Sequence, residues 1–182
     1  MEELGLPFKV VKTGHTDEEY PDGLEGGEIA RFLVSHKSDA YTGVLEEQQV
    51  LLTADTIVWQ DGLELGKPGT REEAIAMISS LSGRTHQVFT GVCLRSATKR
   101  TSFYVATDVS FAKLEEEEVL YYVDRFKPFD KAGAYGIQEW IGHIAVERIN
   151  GSYFNVMGLP VQMVYRELKA FFYLNKPTKN ED

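Results

Sequence analysis

The stretch that most constrains the fold is "VLLTADTIVWQDGLELGKP", residues 50–68. Residues 50–58 form an apolar, β-branched run, which predicts a buried strand. Asp61-Gly62 then supplies the residue pair of a two-residue hairpin, so a second strand must return over "LEL". Inside this run sits one carboxylate, Asp55, and just past the hairpin comes Lys67. An isolated buried charge is costly, so Asp55 must be hydrogen-bonded, paired or metal-bound. Two readings stand on spacing alone. Asp55 is a structural Asp bonding loop amides near a strand end, or it belongs to a site.

The remaining chain alternates strands and helices, with hairpins between. "MEELG" reads as a last helical turn stopped by Gly5, and "PFKVV" as a strand. "KTGHTDEEYPDGLEGG" is a polar, glycine-rich loop, followed by an amphipathic helix over "EIARFLVSHKSDAYTGVL". "GTREEAIAMISSLSG" opens on a capping box, Thr70 with Glu73, and closes at Gly83. Ala74, Ile75, Met77, Ile78 and Leu81 within it follow helical spacing. "THQVFTGVCLRSATKRTSFYVATDVSFAKL" predicts two strands around a polar turn. "EEEEVLYYVDRF" predicts a helix with acids at its positive end. "HIAVERI" predicts a strand, and "LPVQMVYRELKAFFYL" a closing helix with Pro160 in its first turn. The fold class is α/β with a mixed sheet and flanking helices, because hairpins interrupt the alternation.

Composition narrows the function classes. The chain has 182 residues, 43% of them hydrophobic and 12% aromatic, enough for one packed domain or two lobes sharing a core. A formal net charge of −9 argues against nonspecific nucleic-acid binding. A polyanionic substrate would need lysines, arginines or a metal gathered locally. The lone Cys93 lies in "VFTGVCL", reads as a buried inert thiol, and fits a reducing cytoplasm. No run approaches the roughly 20 apolar residues of a membrane helix, and "MEELGLPFKVV" lacks a signal-peptide pattern.

Other polar residues could join Asp55. Glu18 lies in an acidic loop, Lys37 on the first long helix, Lys67 in "LGKP" and Lys131 in "FDKAGAYGIQ". Each alone reads as a solvated side chain. Together they match what phosphate chemistry needs: carboxylates for a hard cation, lysines for phosphate oxygens, and a carboxylate to orient or deprotonate water. Arg84, in "LSGRTHQVFTG", is either a pocket edge or a partner of a helix C-terminus. His15, His36, His86 and His143 lack zinc-ligand spacing. Neither G-x-x-x-x-G-K-[ST] nor G-x-G-x-x-G occurs. The small residues of "DKAGAYGIQ" permit close backbone approach to a base or to a neighbouring helix. "GSYFNVMGLP" reads as a packed turn before the last helix.

Four stretches, "TADTIVWQDGLELGKP", "LSGRTHQVFTGV", "DKAGAYGIQEW" and "GSYFNVMGLP", come in the order found in the Maf family of nucleoside triphosphate pyrophosphatases. With "DEEYPDGLEGGEIARFLVSHKSDAY" the chain resembles that family over nearly its whole length, as a single domain spanning 1–182. The resemblance implies an elongated mixed sheet like that of inosine triphosphate pyrophosphatases, with two lobes around a cleft. It implies hydrolysis of a nucleoside triphosphate to the monophosphate and pyrophosphate, with a divalent cation, Mg²⁺ or alternatively Mn²⁺. Asp55 matches the family's proposed proton acceptor and, with Glu18, a metal ligand. Thr56 and Gln138 match positions that track substrate choice. Glu18, Lys37, Lys67 and Lys131 match polar residues of the cleft, and Arg84 is expected to join them in substrate binding. Thr56 resembles the dTTP and UTP branch, since the branch acting on 7-methyl-GTP typically carries Gln there. A homodimer is a further expectation, with neither nucleic acid nor membrane as partner.

One departure bears on activity. The family normally begins with a strand and "S-x-S-P-R-R", which this sequence lacks. The resemblance therefore implies that the first strand and the start of the first helix are missing, and with them bidentate arginine contacts to phosphate. From this the chain as written is expected to be a weak enzyme. The competing expectations are a nucleotide-binding regulator of cell division or septum formation with little turnover, and a plain α/β interaction module.

Overall fold

A computed structural model of the chain describes residues 1–12 and 19–173. After a single 3₁₀ turn at Glu2–Leu4, ended by Gly5, the regular elements begin with helix α1 (Gly27–Asp39). Strand β1 (Leu51–Gln60) and β2 (Leu63–Leu65) follow, then α2 (Arg71–Leu81), β3 (Thr85–Arg95) and β4 (Arg100–Phe111). The chain continues through α3 (Glu116–Phe126), a 3₁₀ turn at Ala132–Ala134, α4 (Trp140–Ala145), β5 (Val146–Asn150), α5 (Tyr153–Val156) and α6 (Val161–Tyr173).

The sheet order is β2-β1-β3-β4-β5. The α/β architecture is the expected one, and each pairing described is antiparallel, the geometry that hairpins produce. The Asp61-Gly62 turn sets Gln60 opposite Leu63. Thr70 caps α2, its side chain accepting the Glu73 amide at 3.2 Å. The Glu73 carboxylate reaches back one residue further than a capping box requires, to the Gly69 amide at 2.6 Å.

Two sequence expectations shift. "PFKVV" carries no regular structure, and Phe8 and Val10 are exposed. β-branched propensity makes a strand only where a neighbour pairs with it. In "HIAVERI" the first three residues finish α4, so the strand starts at Val146.

The two faces of β1 and β3 have different partners. Ile57 and Phe89 pack against Ile29, Ala30 and Leu33 of α1. On the other face, Val58 and Val88 join a core built with α2, α3 and α4. Further along that same face, Leu52, Ala54, Val92 and Leu94 pack against Val164, Leu168 and Phe171 of α6. Between these two apolar clusters lies one polar pair, Thr56 opposite Thr90. The two-lobed arrangement follows: two hydrophobic clusters on one sheet face, with a polar gap between them.

α1 lies very close to β3. A Cβ on Gly91 would stand 2.3 Å from the Ala30 carbonyl oxygen, so only glycine admits the helix at this distance. Gly91 is the register partner of Asp55. That contact fixes how far α1, and Lys37 on it, stands from Asp55.

Candidate active site

The gap between the two lobes opens into a cavity of about 270 Å³. Its walls include Asp55 and Thr56 of β1, Lys67 after the β2 hairpin, Asp130 and Lys131, Gln138, and Met157-Gly158 after α5.

Alternation along β1 sends Asp55 and Thr56 to opposite faces. Asp55 turns toward α1, where its Oδ2 lies 2.8 Å from Lys37 Nζ, both side chains about one-fifth exposed. Its Oδ1 accepts the Thr56 amide at 3.1 Å. Thr56 turns toward the polar gap and hydrogen-bonds Thr90. Both still reach the same cavity because β2 covers the outer edge of β1 only from Val58 onward. Among the described residues, the outer edge of Leu51–Ile57 has no strand beside it.

Lys131 is held by two carboxylates, Asp130 at 2.8 Å and Glu139 at 3.2 Å. Partial burial works against its charge, but these carboxylates outweigh it and hold the ammonium above its usual range. Lys131 in turn holds the exposed Asp130 carboxyl below its usual range. Tyr122 donates to Glu139, and burial together with that bond pushes its phenol up. The loop carrying these residues is pressed onto β1 at Gly133, which has φ +66° and where a Cβ would meet the Val58 side chain at 2.9 Å. The Gly133 amide also donates to the Gly66 carbonyl at 3.0 Å, which sets the Lys131 loop beside Lys67.

Of the residues singled out in the sequence, Asp55, Thr56, Lys67, Lys131 and Gln138 line one cavity. Lys37 stands behind Asp55 as its ion-pair partner. Arg84 is not on this wall. Its Nη2 donates to both oxygens of Asp61 in the hairpin turn, at 2.8 and 2.6 Å. Glu18 and His15 lie outside the described residues. Sequence reasoning did not single out Asp130 and Glu139, which fix Lys131, or Thr90 and Asn155, which sit under Thr56. The two carboxylates lie within the quoted "DKAGAYGIQEW" and could have been proposed as counter-ions. The buried pair carried no signal without the strand register.

Among the described residues no group of three or more His, Cys, Asp or Glu could cage a metal ion. Mg²⁺ does not require one, since it commonly binds one or two carboxylates together with substrate phosphates and water. Asp55, a hard oxygen donor on the cavity wall, fits that pattern.

The family model described as "Maf-like protein" matches residues 1–171. The chain belongs to the Maf-like family. It is 54% identical over 166 residues to a Bacteroides fragilis protein named dTTP/UTP pyrophosphatase, covering 91% of this chain and 86% of that one. A Bacteroides thetaiotaomicron protein of the same name is 53% identical over 169 residues, covering 93% and 88%. One from Flavobacterium johnsoniae, again so named, is 46% identical over 166 residues, covering 91% and 85%. The family match, over residues 1–171, takes in every described wall of the cavity. Among the described residues no helix of this Maf-like chain is long and apolar enough to cross a membrane.

Proposed function

We propose that this protein is a cytoplasmic nucleoside triphosphate pyrophosphatase that hydrolyses dTTP and UTP to the monophosphate and pyrophosphate. The observation that carries this reading is the placement of the Asp55 carboxylate on the wall of a cavity that also presents Lys67 and Lys131. The relatives' shared name supplies the substrate class. On a chain of net charge −9, a triphosphate is drawn only where lysines are gathered, and this cavity gathers them.

Asp55 orients a water molecule and takes its proton as the oxygen attacks the α-phosphorus. The bond from that phosphorus to the bridging oxygen breaks, and pyrophosphate leaves. Lys37 keeps the Asp55 carboxylate aimed, through their 2.8 Å contact. Lys67 and Lys131 neutralise charge on the triphosphate and on the departing pyrophosphate. A bound divalent cation, Mg²⁺ or Mn²⁺, would be held by Asp55 with the phosphates and would supply further charge neutralisation. Thr56 and Gln138 contact the nucleoside and set its identity. The single buried Cys93 suits a reducing compartment.

The test is pyrophosphate release from dTTP, UTP, CTP and 7-methyl-GTP, with and without Mg²⁺, on wild type and Asp55→Asn. Turnover should favour dTTP and UTP and require the cation. Asp55→Asn should lose about 10²-fold or more while keeping its circular dichroism spectrum. A folded wild-type protein that binds dTTP but releases no pyrophosphate would move the protein from enzyme to nucleotide-binding regulator.

A further inference from the structure

Under the cavity lies a chain of buried hydroxyls and one amide whose protons can be assigned one by one. Thr90 on β3 is fully buried. Its Oγ1 lies 2.8 Å from the Asn155 backbone carbonyl oxygen and 2.8 Å from Thr56 Oγ1. A carbonyl oxygen only accepts, and a threonine hydroxyl has one proton. Thr90 therefore donates to Asn155, and its proton is spent. In the Thr56–Thr90 bond the donor must then be Thr56. The Thr56 proton points into the sheet, and what remains for the cavity is its lone pairs.

The side chain of Asn155 holds that backbone carbonyl in place. It is fully buried in α5. Its Nδ2 donates to the Val88 carbonyl at 3.1 Å and to Thr107 Oγ1 at 3.0 Å. The Val88 carbonyl fixes which end of the amide is nitrogen. Thr107 Oγ1 also accepts the Ser152 amide at 3.1 Å, which ties the start of α5 to β4.

We infer that Thr90, anchored on Asn155, makes Thr56 an obligate hydrogen-bond acceptor toward the substrate, and that this acceptor reads the imide N3–H of uracil and thymine. The inference rests on the proposed pyrimidine triphosphate reading of the cavity. Uracil and thymine both present N3–H, a donor. Cytosine has an unprotonated N3, an acceptor, so Thr56 and the base would face each other with lone pairs. The 5-methyl group lies on another edge of the ring, so an acceptor at this point treats dTTP and UTP alike and refuses CTP. Thr90 touches no substrate in this scheme. It is a positioning residue, and it acts by holding the Thr56 proton away.

The experiment compares kcat/KM for UTP and CTP in wild type, Thr90→Val and Thr90→Ser, with unfolding midpoints for all three. Valine keeps the volume and removes the acceptor, so the Thr56 proton is released to the cavity and can meet cytosine N3. The UTP-to-CTP ratio should fall about tenfold or more in Thr90→Val, the worth of one hydrogen bond reversed. Thr90→Ser should keep the wild-type ratio. A Thr90→Val ratio equal to wild type, or equal losses for both nucleotides, overturns the inference, as does a serine variant that behaves like valine. Should Thr90→Val not fold, Thr56→Val serves, since it removes the acceptor and leaves Thr90 donating to Asn155. Its UTP rate should fall by a larger factor than its CTP rate, and an unchanged ratio overturns the inference. Wild type that turns over neither UTP nor dTTP sinks the proposed function, and the inference with it. UTP turnover with an unaltered ratio in the variants sinks the inference alone.

Discussion

Gly91→Ala isolates the contact that sets the depth of the site. The added Cβ would stand 2.3 Å from the Ala30 carbonyl oxygen, 2.5 Å from its carbon and 3.0 Å from the Arg31 nitrogen. Ordinary contact begins at 3.4 Å, so α1 must lift by about 1 Å (3.4 minus 2.3). None of the three atoms is a side-chain end that could swing aside. Ile29, Ala30 and Leu33, all buried against β1 and β3, must lift with the helix. Overpacking of this kind costs about 1–3 kcal/mol. With a urea m-value of about 2 kcal/mol/M, the unfolding midpoint should drop by roughly 0.5–1.5 M with the slope unchanged. The same lift carries Lys37 away from Asp55, across a contact of only 2.8 Å. A displacement of about 1 Å in a positioned group can cost as much as 10²-fold in rate. Turnover of dTTP should therefore fall more than the stability loss explains at temperatures where the variant is fully folded. A Gly91→Ala protein with the wild-type midpoint and wild-type kcat would refute the claim that this approach positions Lys37.

Two further outcomes follow from the same geometry. Lys67→Ala and Lys131→Ala should each lower kcat/KM for dTTP by about tenfold or more. The salt dependence of KM should weaken in both, and variants indistinguishable from wild type in steady-state assays at low salt would remove the lysines from the phosphate site. His86 is buried, its Nε2 2.7 Å from the Tyr135 hydroxyl, and burial pulls its pKa from 6.5 down to about 4. The unfolded chain thus binds more protons between about pH 6.5 and pH 4, so stability falls as pH falls through that window, by about 3 kcal/mol in all. Urea midpoints measured from pH 7 to pH 4 should show this slope in wild type and lose it in His86→Gln, and parallel profiles would show that His86 is not its source.

Much of the frame was legible because it is local. The Asp61-Gly62 turn, the Thr70 cap and the spacing of Ala74, Ile78 and Leu81 are each decided by residues a few positions apart. Asp55 was legible as an anomaly, a carboxylate where a strand wants apolar side chains. What escaped depends on distant register. Lys37 and Asp55 meet only because α1 packs onto the face of β1 that Asp55 shares. Arg84 had two readings, and its partner Asp61 comes near through the pairing of β1 with β3. Thr90 looks like any strand threonine until the register sets it against Thr56 and α5 brings Asn155 beneath both.

Adjacent residues on a strand do not normally serve one small ligand, because their side chains leave on opposite faces. Asp55 and Thr56 escape this rule at an edge. β3 holds the inner side of β1 throughout, but on the outer side β2 stops at Val58. A ligand beside residues 51–57 can therefore meet Asp55 from one face of the strand and Thr56 from the other. The division also separates the two chemistries. Under the proposed function the Asp55–Lys37 pair on the α1 side serves the attacking water, and the Thr56–Thr90 pair on the other face serves hydrogen-bond polarity toward the base. A substitution in the relay should then change which base is accepted, while one in the ion pair should change how fast any accepted nucleotide is cut.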